Sequence, residues 1–277
     1  MTKPYAEVIG DPISHSKSPL IHNFWLKKLG IDAEYRACHV RPEDLADYLA
    51  ARRKDPDWRG CNVTIPHKER AFSLIDEPDA KAVFVGAVNT VFPLVDGNLA
   101  ATNTDVDGVA TALAGLEVSG RNVVVLGAGG AARAALAFLT DKRCGSIGIL
   151  ARNLEKAKKA ARDCRLSAKI YRFEAKTGAL EMAGLLVNAT QLGMAGQDPI
   201  PDFIFEDLSS LDREALVFDM VYVPLETELL VAARMNGLRT VDGLTMLIGQ
   251  AAVALTRFFD AVAPREYDDE LRRLLTT

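Results

Sequence analysis

The stretch Val123-Val-Val-Leu-Gly-Ala-Gly-Gly-Ala-Ala132 joins a short β-branched, apolar run to a cluster of glycine and alanine, and then to the alanine-rich segment 131–139. Such an order predicts a strand, a tight turn and a helix. In this setting Gly127 allows the turn, Gly129 lets a pyrophosphate approach the backbone, and Ala132 is small enough for the helix to pack on its strand. The amides that open the helix carry partial positive charge, so Gly127, Ala128, Gly129, Gly130 and Ala131 are expected to hold the phosphates of a dinucleotide. The same glycines without a strand before them and a helix after them would read only as a flexible turn.

Downstream, apolar runs alternate with helical stretches at 147–150, 169–172, 185–188, 216–219 and 239–241. That rhythm predicts a doubly wound parallel sheet of Rossmann type. Upstream, a similar alternation starts the chain: 6–10 precedes a helix from Pro19 to Leu29, and 33–39 precedes one from Pro42 to Arg53. Ser18-Pro19 reads as N-cap and first helical residue, Gly30 as the glycine that ends the helix, and Glu43-Asp44 as an acidic first turn. Between the two series, Thr90 to Leu94 and Leu99 to Thr102 flank Asp96-Gly97-Asn98, the pattern of an antiparallel hairpin. A hairpin followed by a fresh α/β series marks a domain boundary. The tail, 244–259 and 265–275, is helical with no further strand and must cover an existing sheet. The expected organisation is α/β throughout: an N-terminal substrate domain of residues 1–104 completed by 244–277, and a Rossmann-type cofactor domain of residues 105–243.

The chain has 277 residues, 49% of them hydrophobic and 25% charged, enough for two ordinary cores. A net charge of −4 offers no electrostatic footprint for nucleic acid or for a polybasic membrane anchor. The four cysteines are widely spaced and lack C-x-x-C pairs or flanking histidines, so no metal site is expected and a reduced, cytoplasmic protein fits best. No apolar run approaches the length of a membrane span, and the N-terminus lacks the apolar core of a signal peptide.

About twenty residues past the glycine turn, an NAD-binding unit would carry Asp or Glu for the ribose diol. Here the second strand ends in Leu150-Ala-Arg-Asn153. A carboxylate there would repel a 2′-phosphate, whereas Arg152 can grip one with its planar fork and Lys156 adds a second cation, so NADP is expected over NAD. Both are also residue types that commonly sit solvated at a helix start.

Three polar clusters occupy strand-to-helix junctions in the first half. Gly10 to Pro19 is dense in hydroxyls that, with helix amides, can hold a carboxylate, although Ser18 could equally be a cap. Asn62-Val-Thr-Ile-Pro-His-Lys68 ends in a lysine, and Thr102-Asn-Thr-Asp105 ends in an aspartate that could serve as a helix cap or as a chemical group. Asn89, inside Ala87-Val-Asn-Thr90, sits beside the hairpin.

Taken together and in order, these elements resemble the shikimate dehydrogenase family. The likeness is carried by S-x-S at Ser16 and Ser18, N-V-T-x-P-x-K at 62–68, A-V-N-T at 87–90, N-T-D ending at Asp105, and G-A-G-G-A-A-R from Gly127. It continues through N-A-T-x-x-G-M at 188–194, D-M-x-Y at 219–222, and the helix opening at Asp242-Gly243. The resemblance implies reversible reduction of 3-dehydroshikimate to shikimate with NADPH, within aromatic amino acid and chorismate biosynthesis, by a monomer or homodimer. It further implies that Ser16 and Ser18, aided by Tyr222, bind the substrate carboxylate; that Asn62, Thr64, Asn89 and Gln250 hold ring hydroxyls; that Lys68 and Asp105 handle the proton; and that Thr190 and Gly243 join the cofactor site. A quinate/shikimate dehydrogenase that uses NAD shares the same motifs; Arg152 argues against it. Three features depart from the family pattern. Ala151-Arg-Asn-Leu-Glu-Lys156 replaces N-R-T-x-x-R, Thr245 stands where many relatives have glycine, and Gln191-Leu192 replaces smaller residues.

Overall fold

The computed structural model describes residues 3–173 and 178–276. It divides into two compact units, one running to Asp107 and resuming at Leu247, the other comprising Gly108–Met246.

The first unit contains β1 (Tyr5–Gly10), α1 (Ser18–Leu29), β2 (Glu34–His39), α2 (Leu45–Arg52), β3 (Trp58–Val63), α3 (Lys68–Phe72), β4 (Glu77–Pro78), α4 (Ala80–Val85), β5 (Thr90–Pro93) and β6 (Leu99–Thr102), and the helix α5 (Asp105–Ala112) begins in it. Its sheet has the order β2-β1-β3-β5-β6-β4. The β1 strand pairs in parallel with β2 and β3, while the expected hairpin β5–β6 runs antiparallel and adds to the sheet through β3. The two-residue β4, too short to leave a periodic signal, pairs in parallel with β6. Every residue of β1 is buried, including Glu7, whose carboxylate accepts from Arg36, Arg52 and Tyr48 at 2.7–3.1 Å. A charge so placed persists because it is paired and hydrogen-bonded, and it fastens α2 to the sheet. One expectation at α1 does not hold. Lys17 occupies the N-cap position with no side-chain cap bond, and Ser18 is already helical; the hydroxyl of Ser16 accepts the Ser18 amide at 3.3 Å instead. Gly30 ends the helix in the left-handed conformation, its amide donating to Leu26 and Lys27 carbonyls.

The second unit contains β7 (Asn122–Leu126), α6 (Gly130–Leu139), β8 (Ser146–Ala151), α7 (Leu154–Asp163), β9 (Ala168–Arg172), β10 (Ala183–Asn188), α8 (Asp202–Asp207), β11 (Leu216–Asp219), α9 (Glu228–Met235) and β12 (Arg239–Val241), and the helix α10 (Gly243–Phe259) begins in it. All pairings are parallel, in the order β12-β11-β10-β7-β8-β9. Read from the other edge, this is the doubly wound dinucleotide-binding arrangement, with its switch point between β7 and β10. Val124, Leu126, Leu186 and Val217 of the sheet pack with Ile204, Leu208, Leu229 and Ala233 from the covering helices. Because both faces are covered, β10 is buried at every residue and its sequence is nearly continuous in apolar residues.

The C-terminal part of α10 and α11 (Asp268–Thr276) belong to the first unit. Lys17 donates to the Leu275 carbonyl at 2.5 Å, Lys28 pairs with Glu270 at 2.7 Å, and Phe258 lies among the rings of His22 and Tyr35.

Candidate active site

In the first unit, polar side chains from four elements converge. Lys68 is the first residue of α3, and its ammonium donates to Oδ2 of Asp105, the first residue of α5. A carboxylate at a helix start is favoured by the exposed amides there. Its other oxygen, Oδ1, accepts from Asn89 Nδ2 at 2.8 Å. Asn89 is in turn fixed by the Thr104 amide and the Thr90 hydroxyl, which donate to its Oδ1 at 2.7 and 3.0 Å. Gln250, on α10, brings Oε1 to 3.3 Å from the Thr104 hydroxyl and 3.5 Å from Asn89 Nδ2. Asn62, on β3 opposite Thr90 of β5, donates to the Asn89 carbonyl and the Thr90 hydroxyl at 3.1 and 3.0 Å. The Lys68 side chain keeps 15% of its surface exposed while Asp105 keeps 7%, so the pair is held from beneath and open on the amine side.

Lys68, Asp105, Asn89, Asn62 and Gln250 thus form one hydrogen-bonded group. Ser16, Ser18 and Thr64 lie in the same unit but outside that network. Ser16 and Ser18 flank the start of α1, and the Thr64 methyl fills the space where a side chain on Gly10 would begin, 2.5 Å from that position. Thr90, Asn103 and Thr104 were not singled out in the sequence, yet they orient the others: Asn103 accepts the Asp105 amide at 3.1 Å and donates to the Ala87 carbonyl at 2.9 Å. Their signal was present as polar residues inside otherwise apolar strand ends. His67, within the same motif as Lys68, is buried with Nε2 2.7 Å from the Val40 carbonyl and has a structural place.

In the second unit the glycine turn lies at the switch point. Gly127 has φ +108, and a Cβ there would meet Thr190 Cγ2 at 3.0 Å and the Ala189 carbonyl at 3.1 Å, so the protein itself requires glycine. Gly129 differs: a Cβ on it would meet nothing within 4 Å among the described residues. Open space over a glycine that packing does not demand, at the first turn of a ten-residue helix, fits a ligand's phosphates. Thr190, after β10, is held by Asn188, whose Oδ1 accepts both its amide and its hydroxyl at 3.1 and 2.7 Å. Asn188 also donates to Asp219 at 2.9 Å. Burial pushes the Asp219 carboxyl up to about 6, against hydrogen bonds from Thr227, Val221 and Asn188 that favour its charged form. Gly243 opens α10, and a Cβ on it would stand 2.3 Å from the Met220 carbonyl oxygen; only glycine permits that approach.

Arg152 is exposed at the end of β8. Lys156 lies in the first turn of α7, which is capped by Asn153 accepting the Lys156 amide at 2.9 Å. Glu155, the carboxylate of that stretch, pairs with Lys158 at 2.7 Å. Arg133, the last residue of the glycine motif, is buried and bound to Asp163 at 2.5 Å, tying α6 to α7. Two departures from the family pattern have local explanations. Thr245 is held by Asp242, which caps α10 through both the amide and the hydroxyl of Thr245, at 3.1 and 3.3 Å. Leu192 packs against the core of the second unit and its amide donates to the Thr190 hydroxyl at 3.1 Å. Tyr222 is partly buried three residues beyond β11. Among the described residues no group of His, Cys, Asp and Glu could hold a metal ion.

A Rossmann sheet with a ligand-ready glycine turn, joined to a second α/β unit that carries a lysine–aspartate pair, defines a class: two-unit, dinucleotide-linked oxidoreductases. Within that class, a family model described as the shikimate dehydrogenase substrate binding domain matches residues 8–91, and one described as shikimate / quinate 5-dehydrogenase matches residues 109–221. The chain belongs to the shikimate dehydrogenase family. It is 50% identical over 272 residues to the shikimate dehydrogenase (NADP(+)) of Sphingopyxis alaskensis, covering 98% of this chain and 97% of that one. A crystal structure of shikimate 5-dehydrogenase from Thermus thermophilus, in complex with NADP(H) and shikimate, superposes with a TM-score of 0.83 at 33% identity, covering 98% of this chain and 99% of that one. The ligand-free 5-ketofructose reductase of a Gluconobacter strain shares the fold at a TM-score of 0.84 and 26% identity, with 99% of both chains covered.

Proposed function

We propose that this chain catalyses the reversible NADPH-dependent reduction of 3-dehydroshikimate to shikimate, the step its relatives' names describe. The observation that carries the reading is the Lys68–Asp105–Asn89 constellation. An ammonium and a carboxylate are hydrogen-bonded to each other and anchored by a buried amide at strand-to-helix junctions of the first unit.

NADPH, when bound, supplies the hydride. Reducing a carbonyl also requires a proton on its oxygen, where negative charge develops; Lys68 stabilises that charge and donates the proton. Asp105 directs the lysine through their hydrogen bond and accepts a hydrogen bond from a neighbouring substrate hydroxyl. Asn62, Thr64, Asn89 and Gln250 hold ring hydroxyls, while Ser16, Ser18 and Tyr222 hold the carboxylate. Gly127–Ala131 would hold the phosphates of the cofactor, Arg152 and Lys156 its 2′-phosphate, and Thr190 and Gly243 would complete the cofactor site.

Arg152 standing where an NAD-binding unit would carry a ribose-binding carboxylate supports NADP, and the same feature disfavours a quinate-tolerant, NAD-using enzyme. Four free cysteines, two of them buried, suit a reducing cytoplasm. No described helix is long and apolar enough to cross a membrane. The active species is a monomer or a homodimer.

The test is the initial rate of reduced-cofactor absorbance with shikimate or quinate, each paired with NADP or NAD. Shikimate with NADP should be fastest by a wide margin. Equal rates with quinate, or faster turnover with NAD, would overturn the assignment.

A further inference from the structure

Tyr35 lies on β2, away from every motif that marks the site, and is buried with 1% of its surface exposed. Its hydroxyl donates to Asn62 Oδ1 at 2.6 Å. The direction of that bond follows from the chemistry of the other partners. The Asn89 carbonyl can only accept, so the Asn62 atom facing it at 3.1 Å must be Nδ2; the atom facing Tyr35 is then Oδ1, and the phenol must donate. The second Nδ2 hydrogen goes to the Thr90 hydroxyl. Both amide hydrogens of Asn62 are therefore committed within the protein, and Oδ1 keeps one lone pair for a substrate hydroxyl.

The rest of Tyr35 is held as firmly as its hydroxyl. Asn23 of α1 clamps its backbone from both sides, donating to the Tyr35 carbonyl at 2.6 Å and accepting its amide at 2.9 Å. The neighbouring His22 stacks on the phenol ring at 4.0 Å with the planes 7° apart. His22 is fully buried and neither of its ring nitrogens has a hydrogen-bond partner among the described residues. Burial drives its pKa down to about 3, so the ring is neutral, a flat plate under the phenol. An unpartnered buried imidazole is unfavourable in itself, and here it serves to fix one ring plane.

We propose that Tyr35 is a positioning residue of the substrate site. Its hydroxyl sets the rotation of the Asn62 amide, and His22 and Asn23 set Tyr35. The proposal rests on the reading that Asn62 meets a substrate hydroxyl. Without the phenolic donor, the Asn62 carbonyl oxygen loses its buried partner, and the amide is no longer held in the one rotation that satisfies the Asn89 carbonyl and leaves a lone pair for substrate. Through Asn89 the same network reaches Asp105, so misplacement touches substrate binding first and proton transfer second.

The test is steady-state kinetics of the full chain with shikimate and NADP, comparing the wild type, Tyr35→Phe, Asn62→Ala and the double variant. Phenylalanine keeps the ring on His22, and the Asn23 clamp acts on backbone atoms, so the fold is retained. Tyr35→Phe should lower kcat/KM for shikimate on the order of tenfold, mostly through KM, as expected for one buried hydrogen bond of about 1.4 kcal/mol. The KM for NADP should stay within about twofold, since one absent phenol in the first unit leaves cofactor contacts untouched. In the Asn62→Ala background, Tyr35→Phe should add no further loss. If Asn62→Ala fails to fold, Asn62→Ser replaces it in the cycle. A Tyr35→Phe enzyme with wild-type kcat/KM, or one that loses as much in the absence of Asn62 as in its presence, overturns the proposal. A wild type that does not turn over shikimate overturns the parent reading instead, and the two failures are told apart by the first measurement.

Discussion

The glycine turn at 127–131 and the polar network around Lys68 and Asp105, the two ligand sites proposed above, are built in opposite ways. The turn works by omission: it removes side chains so that backbone amides are accessible, and a single added methyl group can spoil it. In the network, by contrast, function comes from side chains, each satisfied by the next. Asn62, Thr90, Asn89 and Thr104 leave the lysine–aspartate pair oriented and few polar atoms idle. A site made of omissions is broken by adding atoms, and a site made of partners is broken by removing them.

That contrast fails first if Lys68→Ala is mild. Removing the amine should lower kcat by about 10²–10⁴-fold, the usual contribution of positioned acid–base catalysis, while the KM for NADP stays near normal. An equal loss of cofactor affinity would make Lys68 a structural residue. Next in size is a matched pair in the other unit, Gly127→Ala and Gly129→Ala. Both should raise the KM for NADP by about tenfold or more, because both line the pyrophosphate turn. Only Gly127→Ala should also carry strain of about 1–3 kcal/mol and a clear fall in Tm, since φ +108 and the Thr190 contact belong to the protein alone. If the two variants melt alike, the idea that Gly129 is kept for the ligand is wrong.

Smaller still is Arg152→Ala. It should raise the KM for NADP about tenfold and leave that for NAD nearly unchanged, as loss of one charged contact to a 2′-phosphate requires. A parallel rise for both cofactors would remove the ground for NADP preference.

The last effect concerns stability and sharpens the comparison between units, because each buries a group whose pKa burial shifts, His22 downward and Asp219 upward. His22 falls from 6.5 to about 3. The unfolded chain therefore binds the proton more readily, and this stabilisation, complete above about pH 6.5, is lost as pH falls toward 3. Asp219 rises from 3.8 to about 6. Its stabilisation is present below about pH 3.8 and is lost as pH rises through 6. Between about pH 6 and 4 the two trends oppose. The stability difference between the wild type and His22→Phe should then change by about 1.4 kcal/mol per pH unit across that window, read from denaturant midpoints. Parallel curves would mean that His22 is not a buried neutral ring.

Much of the architecture was legible because local signals agree with the fold. The parallel sheet of the second unit announced itself in apolar runs and in the glycine turn, and the hairpin at 90–102 in Asp96-Gly97-Asn98. Polar clusters at strand ends pointed to the same junctions where the structure brings Lys68, Asp105 and Asn89 together. Three things were not legible. Ser18 looks like a cap by residue type, but the chain enters the helix one residue earlier, at Lys17. β4 is two residues long and exists only by pairing with β6. Thr90 and Tyr35 look like ordinary strand residues, and Thr104 like an ordinary turn residue, until their partners are known.

Residue type and order by themselves determined the α/β class, the place of the glycine turn, the absence of a ribose-binding carboxylate after β8, and which junctions gather polar side chains. These follow from backbone sterics and periodicity, which act over a few neighbouring residues. Tertiary structure alone decided which amide faces which carbonyl, that a Cβ on Gly127 would meet Thr190 while one on Gly129 would meet nothing within 4 Å among the described residues, and that a tyrosine on β2 stands behind Asn62. Hydrogen bonds between residues 27 or 161 positions apart have no local signature, because they are set by the packing of whole elements rather than by the chain on either side of them.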